Sequence, residues 1–225
     1  MAGKASKPIS VTTAPTMPVA VANIAQVRSA ATAMAPGRFA AAINQPPMKR
    51  HTPVGWVDWA VERAAVWRRR FIPAVHLLRR VFEAAETFEA AKRMLCDTPI
   101  AMPAFFSLSG TRQEDGCVIE RTETEAFVRD GDGRPGHASV ANHWIAGGFD
   151  GRLRGIDSPG RYAQMERCRD GVEGGFDWVV PPILNPTTRL AVTANATAGT
   201  LEVRGYEAAG LDGVSPVTRD FRLAG

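Results

Sequence analysis

The fold is decided by residues 87–110, TFEAAKRMLCDTPIAMPAFFSLSG, and the three blocks that follow them. These are GCVIERTETEAFV (116–128), SVANHW (139–144) and DSPGRY (157–162). The first block changes period halfway. Thr87 carries a hydroxyl where an N-cap is needed, with Glu89 in the first turn. Phe88, Ala91, Met94 and Leu95 recur at helical spacing, and Asp97-Thr98-Pro99 stops the run. From residue 102 the pattern becomes short Val/Ile/Phe-bearing runs between Gly/Asp turns, which predicts strands over 102–109, 117–122, 123–129 and 138–144.

Working outward, GRFAAAINQ (37–45) reads as a buried strand opened by a Gly turn and ended by Pro46-Pro47. A helix is predicted over 57–71, where Trp56, Trp59, Ala60, Ala64 and Trp67 make one apolar stripe. Arg68-Arg69-Arg70 closes it as a solvated helix end, with positive charge at the negative end of the dipole. Pro73 suits the first turn of a second helix over 73–85, lined by Val75, Leu78, Phe82 and Ala85. A further helix is predicted over 159–169. Strands over 188–193 and 200–206 follow, joined through an ATAG hairpin turn (196–199). Helices clustered early and then consecutive strands define an α+β chain with antiparallel sheet.

Composition narrows the function classes. The chain has 225 residues, 45% apolar and 22% charged, enough to bury a core without disulfides or metals. No acidic residue precedes Asp58, and six of the 27 basic residues lie before it. The rest carries 21 basic against 23 acidic residues, a net −2, so the folded part lacks the charged footprint of a nucleic-acid binder. No apolar run is long enough to span a membrane. Cys96, Cys117 and Cys168 have no CxxC or disulfide-framework spacing, and His51, His76 and His137 have no ligand spacing. No metal or cofactor is expected. Residues 1–35 read as a poorly ordered or mis-started leader, and 36–225 as one incomplete domain. Residues 1–35 lack a compact apolar core followed by a small-residue cleavage site, and a cytoplasmic location is the expectation.

The order of the blocks resembles the C-terminal portion of the penicillin acyltransferase-like and acid ceramidase-like N-terminal-nucleophile amide hydrolases. The likeness reaches from MAPGRFAAAINQ (34–45) to the closing TRDF (218–221). It implies part of an αββα sandwich, with two mostly antiparallel sheets between helices and catalytic groups at strand ends. It also implies a chemistry. An N-terminal cysteine attacks an amide carbonyl, its own amine takes the proton, and neighbouring donors hold the oxyanion. By resemblance Asn142 is the oxyanion donor, although an Asn at that place also satisfies turn backbone groups. His143, Trp144 and Arg161 are substrate-binding by the same resemblance. His143 reads as a pocket wall rather than a base, and spacing does not separate Arg161 from Arg154.

The nucleophile is missing. None of the three cysteines is followed by the small residues and the later Arg and Asp that the family nucleophile has. Cys168 has cationic neighbours that favour a thiolate, yet reads as a surface thiol. DGDGRPG (130–136) contains a literal GxGxxG, but Pro135 precedes its last glycine, and no bidentate Glu follows where a calcium loop needs one. It reads as a hairpin loop. The expectation is therefore a truncated fragment or degenerate member of an amide-hydrolase or acyltransferase family, inactive as this chain alone. Its partners would be a small-molecule acyl amide and a complementary N-terminal fragment or a second copy. The alternatives are a non-catalytic binding protein on the same fold, or one half of a split amidase.

Overall fold

The computed structural model describes residues 21–22, 32–131, 135–168, 175–209 and 213–224. Two five-stranded antiparallel sheets stack on each other. The first runs β2 (Thr32–Ala35), β3 (Phe39–Asn44), β5 (Ala104–Ser109), β6 (Gly116–Arg121) and β7 (Ala126–Arg129). The second runs β1 (Val21–Ala22), β9 (Leu190–Asn195), β10 (Thr200–Ala209) and β11 (Gly213–Pro216), with β12 (Phe221–Ala224) also on β10. A two-stranded ribbon pairs β4 (Met48–Lys49) with β8 (Gly151–Arg152). The expected α+β sandwich is what the chain forms.

Strand β3 shows how the layers arise. Phe39 and Ala41 enter the core beneath the helices, while Ala40 and Ala42 meet Ala194 of β9 between the sheets. Alternation sends one set to each face, and methyl-sized side chains on the inner face let the sheets approach closely. On the helical face lie α2 (Ala74–Ala84) and α3 (Phe88–Asp97), which bury Leu77, Leu78, Val81, Ala91 and Leu95 against Phe106, Leu108 and Ile119. Thr87 caps α3 as expected, its side chain accepting from the Ala90 N–H at 3.1 Å. Buried Arg121 closes the other end of α3, donating to the Leu95 and Thr98 carbonyls. The seam of α2 runs through Leu77 and Val81 rather than Val75, and Pro73 stands at the N-cap, one residue outside the helix.

Several expectations change. Helix α1 (Gly55–Arg68) forms where the spacing places it, but its tryptophans are not buried. Trp56, Trp59 and Trp67 are 74%, 56% and 78% exposed, and its one buried residue is Asp58. That carboxylate accepts from Arg152 Nε (2.7 Å), Thr52 N–H (2.8 Å), Thr52 Oγ1 (2.9 Å) and His51 N–H (3.1 Å). Polar pins therefore hold α1, not an apolar stripe. Arg69 is not part of a solvated end. It pairs with Glu123 at 2.8 Å and donates to the Ala101 carbonyl.

Residues 138–144 are not a strand. Side chains satisfy their backbone instead of a ladder: Arg129 Nη2 donates to the Ser139 carbonyl (2.6 Å) and Asn44 Nδ2 to the Ala141 carbonyl (2.9 Å). The glycine-rich stretch before them consequently joins no pair of strands, and its residues 132–134 lie outside the described residues. Its last glycine has a packing role. A Cβ at Gly136 (φ +78°) would lie 2.0 Å from the Gln113 carbonyl oxygen. Lastly, β1 and β2 lie within the stretch read as a leader, and the rest of that stretch falls outside the described residues.

Candidate active site

The residues singled out in the sequence converge at the carboxyl end of β3. That strand ends at Asn44, and Pro46-Pro47 turns the chain away. Asn44 Oδ1 accepts from the Gln45 N–H (2.8 Å) and from Asn142 Nδ2 (2.7 Å). Its amide in turn holds the Ala141 carbonyl, so the strand end and the Asn142 loop latch reciprocally.

Asn142 is buried and fully engaged. Its Nδ2 donates to Asn44 Oδ1 and, at 2.6 Å, to the Gln45 carbonyl. Its Oδ1 accepts from Arg161 Nη2 at 3.0 Å, and its backbone N–H donates to Ser158 Oγ at 2.7 Å. An Asn amide has two N–H donors, and both are taken here. Arg161 sits in the first turn of α4 (Ser158–Cys168), capped by Asp157 through the Gly160 N–H at 3.0 Å. Burial pushes the Arg161 guanidinium below its usual pKa, with Asp157 opposing, and its Nε also holds the Ile156 carbonyl. Gly155 (φ +72°) makes room for it, because a Cβ there would lie 2.9 Å from Arg161 Nη2.

His143 Nδ1 lies 2.8 Å from Ser158 Oγ, and the ring stands edge-on to Tyr162. Burial lowers its pKa, the Glu120 charge opposing and Arg161 and Arg129 reinforcing, so the imidazole is neutral at neutral pH. Trp144 is wedged between Phe105 and Phe149. Under this loop the buried Glu120 accepts from the Ile145 and Ala146 N–H groups (3.1 and 3.0 Å) and pairs with Arg129 at 2.9 Å. Asn142 and Arg161 are thus in contact, whereas His143 and Trp144 pack behind them.

A groove of about 460 Å³ opens beside this cluster, between α1 and residues 45–49. Gln45, Trp59, Trp67, Met102 and Arg154 line it, and none of His143, Trp144 and Arg161 does. Gln45 joins groove to cluster: its carbonyl holds Asn142, and its Oε1 accepts from Arg154 Nη1 at 3.1 Å. Asn44, Gln45 and Ser158 were not marked as site residues in the sequence. The signal was present in one case, an Asn-Gln pair between a buried strand and two prolines.

The cysteines stand apart from this cluster. Burial pushes the Cys117 thiol up to about 12 and raises that of Cys96, and both pack in the helical core. Cys168 accepts from Gln164 Nε2 at 3.0 Å beside Trp178. Among the described residues no three His, Cys, Asp or Glu side chains gather as a metal site would need, and no helix is long and apolar enough to cross a membrane.

Two stacked antiparallel sheets under helices, with an Asn–Arg pair at a strand end, make this an α+β sandwich protein. Known proteins place it further. The chain is 31% identical over 97 residues to acid ceramidase of Pan troglodytes, and 31% over 96 residues to that of Homo sapiens. Each match covers 43% of this chain and 23% of the relative, so it spans under a quarter of those curated proteins. Among solved structures it is similar to the Caenorhabditis elegans N-acylethanolamine-hydrolyzing acid amidase ortholog. There the TM-score is 0.50 at 14% identity, over 80% of each chain. No family model matches. The fold is acid ceramidase-like, of the N-terminal-nucleophile hydrolase kind.

Proposed function

We propose that this chain carries the binding and oxyanion side of an amide hydrolase or acyltransferase, and that by itself it binds an acyl amide without cleaving it. The observation that carries this is Gln45, which couples the groove to Asn142. An acyl amide laid along the groove would set its chain against α1 and its carbonyl at the Gln45 end, where Gln45 stands between the groove and the buried Asn142 amide. Cleavage needs two things more: a cysteine nucleophile from outside this sequence, and release of one Asn142 N–H from Asn44 or Gln45 toward the oxyanion. Arg161 would then hold Asn142 in orientation as a positioning residue, with His143 and Trp144 supporting the loop that presents it. The nucleophile would come from a complementary fragment, or from a longer form of the polypeptide. Free cysteines fit a reducing compartment such as the cytoplasm.

A second reading, a purely non-catalytic binding protein, is favoured by the commitment of both Asn142 donors. One assay separates the readings from a functioning enzyme. N-lauroyl-aminomethylcoumarin is titrated into the protein, and both binding and coumarin release are followed. Binding without release is expected, unchanged when Cys96, Cys117 and Cys168 are each replaced by Ser. Release that one of those substitutions abolishes would overturn the proposal and identify that residue as the nucleophile. Adding the separately expressed cysteine-bearing segment then divides the two readings, because only the incomplete enzyme gains turnover.

A further inference from the structure

We propose that the groove selects an N-acyl amino acid, its acyl chain on the apolar wall of α1 and its carboxylate on Arg154. This rests on the acyl-amide reading above and names the headgroup that reading leaves open.

The argument begins with unneutralised charge. Arg154 uses Nη1 on the neutral amide of Gln45, and its Nε is buried with no partner. Among the described residues no carboxylate pairs with it. Burial lowers its pKa, which marks a cation removed from water without an anion to offset that removal. Arg63, on the same groove, lies over the Trp59 ring at 5.3 Å and also has no carboxylate partner among the described residues. The lining's third cation, Lys49, has a carboxylate partner, and Glu62 is the lining's one carboxylate. Lys49 is bound to Glu123 at 2.7 Å, and Glu62 to His51 at 2.7 Å. Arg63 and Arg154 are therefore the two lining cations without a carboxylate partner among the described residues.

Position then chooses the ligand. Arg154 and Asn142 grip the same residue, Gln45, from its side chain and its carbonyl. On the acyl-amide reading, a carboxylate at Arg154 and the amide carbonyl would both lie at the Gln45 end of the groove, which requires them close together. In an N-acyl amino acid the carboxylate is two bonds from the amide nitrogen, which meets that requirement. An N-acyl amino alcohol puts a neutral hydroxyl there and leaves Arg154 unmatched. A guanidinium is suited to this task because its planar fork matches a carboxylate in two hydrogen bonds. Trp59, Val66, Trp67 and Met102 give the chain an apolar wall.

The test is calorimetric titration of the full chain with N-lauroylglycine, N-lauroylethanolamine and lauric acid, each below its micelle concentration. N-lauroylglycine is expected to bind about tenfold tighter than N-lauroylethanolamine, the scale of one added charge-assisted contact. Arg154→Gln should erase the preference and Arg154→Lys keep part of it. With the unaltered protein, added salt should shrink the preference, a readout that needs no variant to fold. Equal binding of the two amides, insensitive to Arg154, overturns the carboxylate assignment and leaves the acyl-amide reading standing. Lauric acid binding as tightly as N-lauroylglycine, with the same dependence on Arg154, overturns both, because the groove would then bind an acid and ignore the amide. Binding of none of the three also overturns both.

Discussion

Helices α2 and α3 on one side and α1 on the other are held to the same body by opposite means. The first two press Leu77, Val81, Ala91 and Leu95 into a sealed apolar seam, where each large side chain contributes about 1.5–3 kcal/mol. Helix α1 keeps its tryptophans outside and is fastened by Asp58 to Thr52 and Arg152. The loop bearing Asn142 follows the second pattern, with Glu120, Arg129, Asn44 and Ser158 as its pins. Apolar packing is non-directional and suits a scaffold. Hydrogen bonds from buried side chains fix the orientation of a loop, and this molecule uses them where a donor or a groove wall must be aimed.

The comparison breaks most forcefully at Glu120. Replacing it by Ala leaves Arg129 buried without its carboxylate and frees the Ile145 and Ala146 amides. Removing one partner of such a pair costs about 3–5 kcal/mol. Urea unfolding should report that loss, and hydrogen exchange should locate it first at residues 142–146 rather than in α2 or α3. Exchange that quickens evenly across the sheet would mean that the loop is held by packing after all.

This division also explains what could be read in advance. The Thr87 cap, the β3 strand and the ATAG turn are local signals, each carried within a few residues, and each appears in the structure. Helical spacing located α1 but not its burial, since periodicity marks a face without saying what covers it. The 138–144 segment had the composition of a strand. Its fate was set by Asn44, 97 residues away, and by Glu120, 25 residues away, which no local window contains. Asn142 and Arg161 were visible through block order. Gln45 was not marked because a single polar residue in a loop has no period, and Arg154 stood level with Arg161 because spacing does not separate the two.

Asp58 sharpens the comparison through pH. Burial alone would raise its pKa, but the Arg152 guanidinium and the Thr52 and His51 donors outweigh burial and hold it near about 2. A carboxyl depressed in the folded state stabilises fully above its unfolded value, and that contribution is lost as pH falls through the folded value. Helix α1 should therefore loosen between about pH 4 and about pH 2, seen as faster amide exchange in α1 ahead of α2 and α3. In Asp58→Asn the same amides should exchange faster already at neutral pH, and the acid step should vanish. Simultaneous loosening of all three helices in the unaltered protein would show that α1 has no separate attachment.

The smallest effect on stability belongs to Trp67. At 78% exposure it contributes little burial to the fold, and Trp67→Ala should change unfolding free energy by no more than about 0.5 kcal/mol, as for other surface sites. Yet Trp67 lines the groove, so the same substitution should weaken N-lauroylglycine binding several-fold without touching the preference that Arg154 supplies. Denaturant unfolding and calorimetry on one preparation read both quantities. A tryptophan kept outside the core has a use only if something else covers it. A stability loss of core size, with unchanged ligand affinity, would place α1 among the packed helices and remove the groove as the reason for its exposed face.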